Sequence, residues 1–252
     1  MNDGKNSQLE NQLQTPYGDQ YANWKNWDSS QFGSLNKEED NYFAAELSRT
    51  KQSLAPGSSV LEVGFGNGSF LSFAKRHRWK IYGVEVNPIL VETAKHQGFE
   101  AVCADNLIAF KDSTFDLVVA FDVLEHIQQH KILDLLMEVK RVLKPNAIFI
   151  ARFPNGDSPF GLPLQNGDTT HITCIGSSKA TFFASQLAVE LLYVGGRAQP
   201  LFGGSVLHVI HRMFALPIKA LINLLVNLIF FPRHHIAFCS SDLVMIFRAP
   251  KQ

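Results

Sequence analysis

Residues 60–68 read Val-Leu-Glu-Val-Gly-Phe-Gly-Asn-Gly, and a second apolar run further on ends in Gly83-Val84-Glu85-Val86-Asn87. The first four residues make a short buried strand. Gly64, Gly66 and Gly68 fill the turn after it, where a missing Cβ lets backbone come close to a ligand. Glu85 falls at the tip of the neighbouring strand, placed to accept hydrogen bonds from both ribose hydroxyls. A glycine turn beside such an acid describes the pocket of an adenosine-type cofactor in an open α/β sheet.

The spacing separates two cofactor classes. The dinucleotide fingerprint G-x-G-x-x-G places its third glycine where a helix packs under a pyrophosphate. Here the loop reads G-x-G-x-G, Ser69 stands where that fingerprint wants glycine, and Glu62 precedes the loop, which disfavours an NAD-dependent oxidoreductase. The run Glu62-Val63-Gly64-Phe65-Gly66-Asn67-Gly68 resembles motif I of the class I S-adenosylmethionine-dependent methyltransferases. Gly83-Val84-Glu85-Val86-Asn87-Pro88 is similar to their second strand, Ala104-Asp105 to the acid after their third, and residues 115–126 to their fourth strand and the loop beyond. The resemblance implies S-adenosyl-L-methionine as cofactor. It places Glu62 and Gly64 at the methionine end, Gly66 and Gly68 at close backbone approach, Glu85 at the ribose, and Asp105 with Asn106 at the adenine edge. Asp122 joins the cofactor-binding set, and both it and Asp168 stand where they could orient a histidine or meet an acceptor hydroxyl.

A chain of 252 residues, 46% apolar and 18% charged, holds one α/β domain with extensions and a large core. Lysine plus arginine and aspartate plus glutamate number 23 each, so no basic surface invites nucleic acid. Cys103, Cys174 and Cys239 are odd in number and widely spaced, which suits a reducing cytoplasm better than a disulfide framework or zinc site. Residues 1–20 are rich in Asn and Gln and read as a disordered tail without a secretory signal. Residues 21–51 carry Trp24, Trp27, Phe32, Tyr42, Phe43 and Leu47, with a helix over 37–51. This segment reads either as a lid over the cofactor or as packing against the sheet.

Apolar runs predict strands over 58–63, 80–86, 99–103, 115–121 and 146–153, a weaker one over 190–200 and a last one over 242–249. Helices are expected over 67–77, 88–97, 129–143 and 177–189, with Asn87 as cap and Pro88 at the first position of the second. The expected fold is a doubly wound seven-stranded sheet, a Rossmann-like methyltransferase fold, built from residues 52–202 and 240–252. The last strand is antiparallel, as the resemblance implies.

Residues 203–239 form an apolar insertion between the last two strands, centred on a helix over 213–231. Lys219, Asn223 and Asn227 recur every four residues as a narrow polar stripe, read as facing water. Three placements are open: a helix lying in a membrane surface, a helix buried against the domain or a homodimer partner, and a transmembrane span. The last conflicts with both ends returning to one sheet. Peripheral attachment to the cytoplasmic membrane follows from the first.

The acceptor chemistry rests on histidines, which titrate near neutrality and can take a hydroxyl proton. His126 follows the fourth strand, and His171 closes the polar loop Asn166-Gly-Asp-Thr-Thr-His171. This D-x-x-H loop resembles methyltransferases of bacterial surface-polysaccharide pathways. That resemblance implies O-methylation of a saccharide or other hydroxylated, lipid-linked acceptor; a quinone or lipid acceptor suits the apolar insertion equally. His208, His211, His234 and His235 lack carboxylate or thiolate neighbours in sequence, so no metal site is expected.

Overall fold

Seven strands form one sheet in the order β3-β2-β1-β4-β5-β7-β6. The computed structural model describes residues 21, 24, 25, 27, 29–202 and 204–251; the tail expected over 1–20 lies outside these. In chain order the elements are α1 (Lys37–Arg49), β1 (Ser59–Val63), α2 (Ser69–Arg76), β2 (Lys80–Glu85), α3 (Pro88–His96), β3 (Glu100–Cys103) and β4 (Phe115–Phe121). Then follow α4 (Gln129–Val142), β5 (Leu143–Pro154), α5 (Leu162–Gly167), α6 (Ser177–Gln186), β6 (Glu190–Gly196), α7 (Val206–Phe230) and β7 (Asp242–Arg248). β1 to β5 pair in parallel, and β7 runs antiparallel to both β5 and β6.

Successive residues of a strand point to opposite faces, and two cores result. Val118, Phe149 and Met245 pack with Ile132, Leu136 and Val139 of α4 and Ala180 and Phe183 of α6. Leu117, Ile150 and Ile246 pack with Phe43 of α1, Phe70 and Phe73 of α2 and Leu90 and Val91 of α3. Helices therefore cover both faces. The caps follow the sequence: Asn87 Oδ1 accepts from Ile89 N at 2.9 Å, and Asn36 forms a reciprocal box with Glu39 at the start of α1. α1 is tied to the far edge by Glu46, whose buried carboxylate accepts from the Ala198 amide at 2.6 Å.

Two boundaries differ from the sequence reading. β5 starts at Leu143 directly after α4, because Leu143 pairs with Phe115 across a register shift before the main ladder resumes at Ile148. Lys144-Pro145-Asn146 falls inside this strand, and Asn146 takes a left-handed φ of 62° as an irregularity within it. The short α5 was not foreseen: its Leu-Pro-Leu-Gln-Asn-Gly is too brief to show helical periodicity.

α7 is longer than expected, and its polar stripe faces the other way. Asn227 is buried, donating to Ile236 O and accepting from Ile236 N, while Asn223 Oδ1 accepts from Cys239 N at 2.8 Å. The stripe thus docks the return segment 236–239 instead of meeting water. The reason is backbone satisfaction: the return segment has no strand partner, and the two amides supply one. At the other end Arg212 reaches Pro200 O and the Glu38 carboxylate. α7 is therefore tethered at two places. Its remaining circumference, including Leu207, Met213, Phe214, Leu221, Leu225, Leu228 and Phe230, is exposed. The helix is long and apolar enough to cross a membrane by length and composition.

Candidate functional site

The strand order reverses between β1 and β4, and ligands of open α/β sheets bind at that switch point, beyond the carboxyl ends of the strands. A cavity of about 670 Å³ opens there, within the range of small-molecule sites. Glu62, Gly64, Gly66, Glu85, Asp105, Asn106, Asp122 and His126 line it, together with Tyr21, Lys25 and Trp27 from the N-terminal segment. Gly68 is off the wall, capping α2, and His171 stands behind His126.

Gly64, Gly66 and Gly68 have φ of 67°, 50° and 74°, left-handed values that favour glycine. Their missing side chains also admit the protein's own: a Cβ on Gly64 would lie 2.5 Å from Val123, and one on Gly68 2.6 Å from Phe32. The turn is held by Glu85. One carboxylate oxygen accepts from Gly66 N at 3.1 Å, the other from Val86 N at 2.8 Å and Asn87 N at 3.0 Å. Burial raises the Glu85 pKa against these three amides. Glu85→Ala is therefore expected to act twice. It should weaken binding of S-adenosylhomocysteine by about 1.5–3 kcal/mol, the worth of hydrogen bonds to a charged group. It should also lower the melting temperature, because three amides lose their acceptor. Calorimetry and thermal melts read the two effects, and unchanged affinity would remove Glu85 from the cofactor site.

Glu62 is buried at the cavity wall, and its Oε2 has no hydrogen-bond partner. Burial, with the nearby Glu85 charge, pushes its carboxyl well above the usual range. A cationic group entering the cavity would be its natural partner. In the unliganded protein, a carboxyl whose folded pKa is raised stabilises least at high pH, where it must ionise. Glu62→Gln cannot ionise, so it should raise the melting temperature relative to the parent at about pH 8 and lose that advantage at about pH 5. A pH-independent difference between the two proteins would contradict this. Asp105 and Asn106 are exposed at the rim, with Asn106 Nδ2 donating to Asp105 at 2.8 Å.

At the other end of the cavity a polar relay forms. Thr170 Oγ1 donates to Asp168 at 2.6 Å and lies 2.9 Å from His126 Nδ1. With its proton on Asp168, the hydroxyl oxygen must accept from His126 Nδ1–H, which makes Nε2 the acceptor nitrogen of that ring. Burial, then the adjacent His171, depress the His126 pKa to about 4, so the ring is neutral at physiological pH. His171 packs edge-on against His126 with ring centroids 4.5 Å apart, and its Nε2 lies 3.6 Å from Asp168 and 3.9 Å from Glu125. The Glu125 carbonyl accepts from Ile172 N and Thr173 N, which brings the 166–173 loop against β4.

Asp122 was expected to bind cofactor or to orient a histidine. Its carboxylate lines the cavity and is paired with Arg152, Nε at 2.9 Å and Nη2 in a second contact, in a backbone with φ of 58°. Burial pushes its pKa up, but the Arg152 charge outweighs this and holds it below the ordinary carboxylate range. Asp168, which also accepts from Tyr21 and pairs with Lys25 at 2.6 Å, orients the histidine through Thr170. Thr170, Arg152 and Glu125 escaped the sequence reading. Only Glu125 left a signal there, as an acid beside His126 at the end of a strand.

Residues 61–151 match the family model of the methyltransferase domain. A human protein named probable tRNA methyltransferase 9B is 31% identical over 96 residues, 37% of this chain and 21% of that one. The mitochondrial ubiquinone biosynthesis O-methyltransferase of Schizosaccharomyces pombe is 28% identical over 133 residues, 49% of this chain and 47% of that one. The chain thus spans less than half the length of these relatives. The crystal structure of an S-adenosylmethionine-dependent methyltransferase from Archaeoglobus fulgidus shares the fold with a TM-score of 0.61 at 20% identity, covering 83% of this chain and 94% of that one.

Proposed function

We propose that the protein is an S-adenosylmethionine-dependent O-methyltransferase acting on a hydroxylated, lipid-linked acceptor at a membrane surface. The observation that carries the acceptor class is the junction of α7 with the cavity. Glu38, on the cavity wall, accepts from Arg212 of α7 at 3.0 Å, so the exposed apolar helix borders the mouth. An acceptor held in a bilayer by its lipid would meet the site from that side. Peripheral membrane attachment in the cytoplasm accompanies this reading, and residues 21–51 act as the lid over the bound cofactor.

S-adenosylmethionine supplies an activated methyl group on a sulfonium. Glu62 faces its positively charged end, Glu85 the ribose, and Asp105 with Asn106 the adenine edge. The protein's remaining task is to align the acceptor oxygen and remove its proton, which belongs to the cluster of Glu125, His126, Asp168 and His171. A saccharide hydroxyl is the first acceptor chemistry. A quinone ring hydroxyl is the second, favoured by the likeness to the fission-yeast enzyme. Calorimetry with S-adenosylhomocysteine and with NAD tests the cofactor: binding of the first and not the second is expected, and the reverse would overturn the reading.

A further inference from the structure

We propose that Glu125, His126 and His171 form a binding site for a divalent transition-metal cation at the acceptor end of the cavity. One donor atom from each lies within 4.8 Å of the other two, the only such group of three among the described residues. Two imidazoles and one carboxylate are a donor set for zinc, manganese or iron, with coordination positions left for an incoming oxygen.

The second observation is the state of Glu125. Its side chain is 1% exposed, and neither carboxylate oxygen has a hydrogen-bond partner. Buried carboxyl groups are paired, bound to metal or kept neutral, because losing water as a charge without compensation is expensive. Arg152, the nearest strong cation in the cavity, is taken by Asp122. Glu125 faces His171 instead, at 3.9 Å, too long for a hydrogen bond and suited to two ligands of one ion.

The third observation is the support behind His126. Metal-bound histidines usually give their second N–H to a carboxylate, carbonyl or water, which sets the tautomer. The chain Asp168, Thr170, His126 Nδ1 does this through a hydroxyl and sets Nε2 as the unprotonated nitrogen of the ring. The flanking histidines of α7 lack this support, and His208 is turned to Glu38 at 3.4 Å.

The inference deepens the O-methyl transfer reading. A cation here would polarise an acceptor hydroxyl reaching it from the cavity, so that the O–H bond breaks and its proton passes to water while the oxygen turns toward the methyl group. His126 and His171 then serve by holding the cation, and Asp168 with Thr170 are positioning residues.

The test uses the full chain freed of metal by a chelator and titrated with Zn²⁺ in a calorimeter and with Co²⁺ by its ligand-field absorption. One equivalent should bind. Glu125→Gln and His171→Ala should each abolish that site, and Thr170→Val, which removes only the hydroxyl, should weaken it by about 10–100-fold. A variant with His208, His211, His234 and His235 all changed to Ala should keep it. Absence of a stoichiometric site in the parent, which needs no variant to fold, would overturn the proposal. So would binding that follows the four α7 histidines or survives both Glu125→Gln and His171→Ala. S-adenosylhomocysteine is titrated in parallel. Cofactor binding without Zn²⁺ binding removes the cation site and leaves the methyltransferase reading standing; Zn²⁺ binding without cofactor binding removes that reading and leaves the site.

Discussion

Liposomes should carry the full-length protein upward in a density gradient, and a triple variant, Leu221→Glu, Leu225→Glu and Leu228→Glu, should stay at the bottom. These leucines are 56%, 46% and 68% exposed, so three carboxylates in their place remove no core packing and should leave the melting temperature near that of the parent. In a bilayer surface the same change places three charges where apolar side chains had been buried, which is the basis of the all-or-none outcome. Flotation should persist at high salt. The chain has equal numbers of acidic and basic residues, and Arg212 is already engaged by Glu38, so burial of apolar surface drives the association and not screened attraction. Replacing residues 206–235 with a short Gly-containing turn should give the same result while S-adenosylhomocysteine binding continues. A parent that ignores liposomes and runs as a tight dimer would place another copy of the chain on α7 and end the membrane reading.

The docked stripe makes this expectation sharper than the sequence could. An Asn-Lys stripe on an apolar helix reads equally well as a face toward water or toward protein, because periodicity reports which residues share a face and not what covers it. The answer depended on residues 236–239, whose need for hydrogen-bond partners is invisible until the chain is folded. The sheet was far more legible. β1, β2 and β4 are mostly buried on both sides, so they announce themselves as apolar runs, and Asn87-Pro88 marks the start of α3 without ambiguity.

The cofactor end of the site was legible for a related reason. Its residues act through local backbone, with a glycine turn at one strand tip and an acid at the next, and their spacing along the chain carries that geometry. The acceptor end was not. His126 and His171 are separated by α4, β5 and α5, and what unites them is tertiary: the Glu125 carbonyl accepting from the amides of the 172–173 segment. Thr170, which links Asp168 to His126, acquires its place only there. The ion pair of Asp122 was hidden in the same way, since its partner Arg152 arrives from β5.

The second large effect is on catalysis. His126→Ala and His171→Ala should each lower turnover with the true acceptor on the order of a hundredfold, the usual scale for losing a group that moves a proton in the transition state. Affinity for S-adenosylhomocysteine should hardly change, because Glu85 and the glycine turn keep their own hydrogen bonds when either ring is removed. The two variants should not be additive, since the rings touch and share Asp168; the double variant should resemble the worse single one. Asp168→Asn offers a separate reading of the same relay. The amide could still accept from Thr170, but the charge that attracts Lys25 would be gone, so the 166–173 loop and the N-terminal segment should loosen together. Its loss of turnover should come with increased protease cleavage near residue 25, whereas Thr170→Val should slow turnover with no change in cleavage. Near-normal turnover in both histidine variants would mean that this cluster does not serve the acceptor at all. The proton would then have to leave to water without help from the protein.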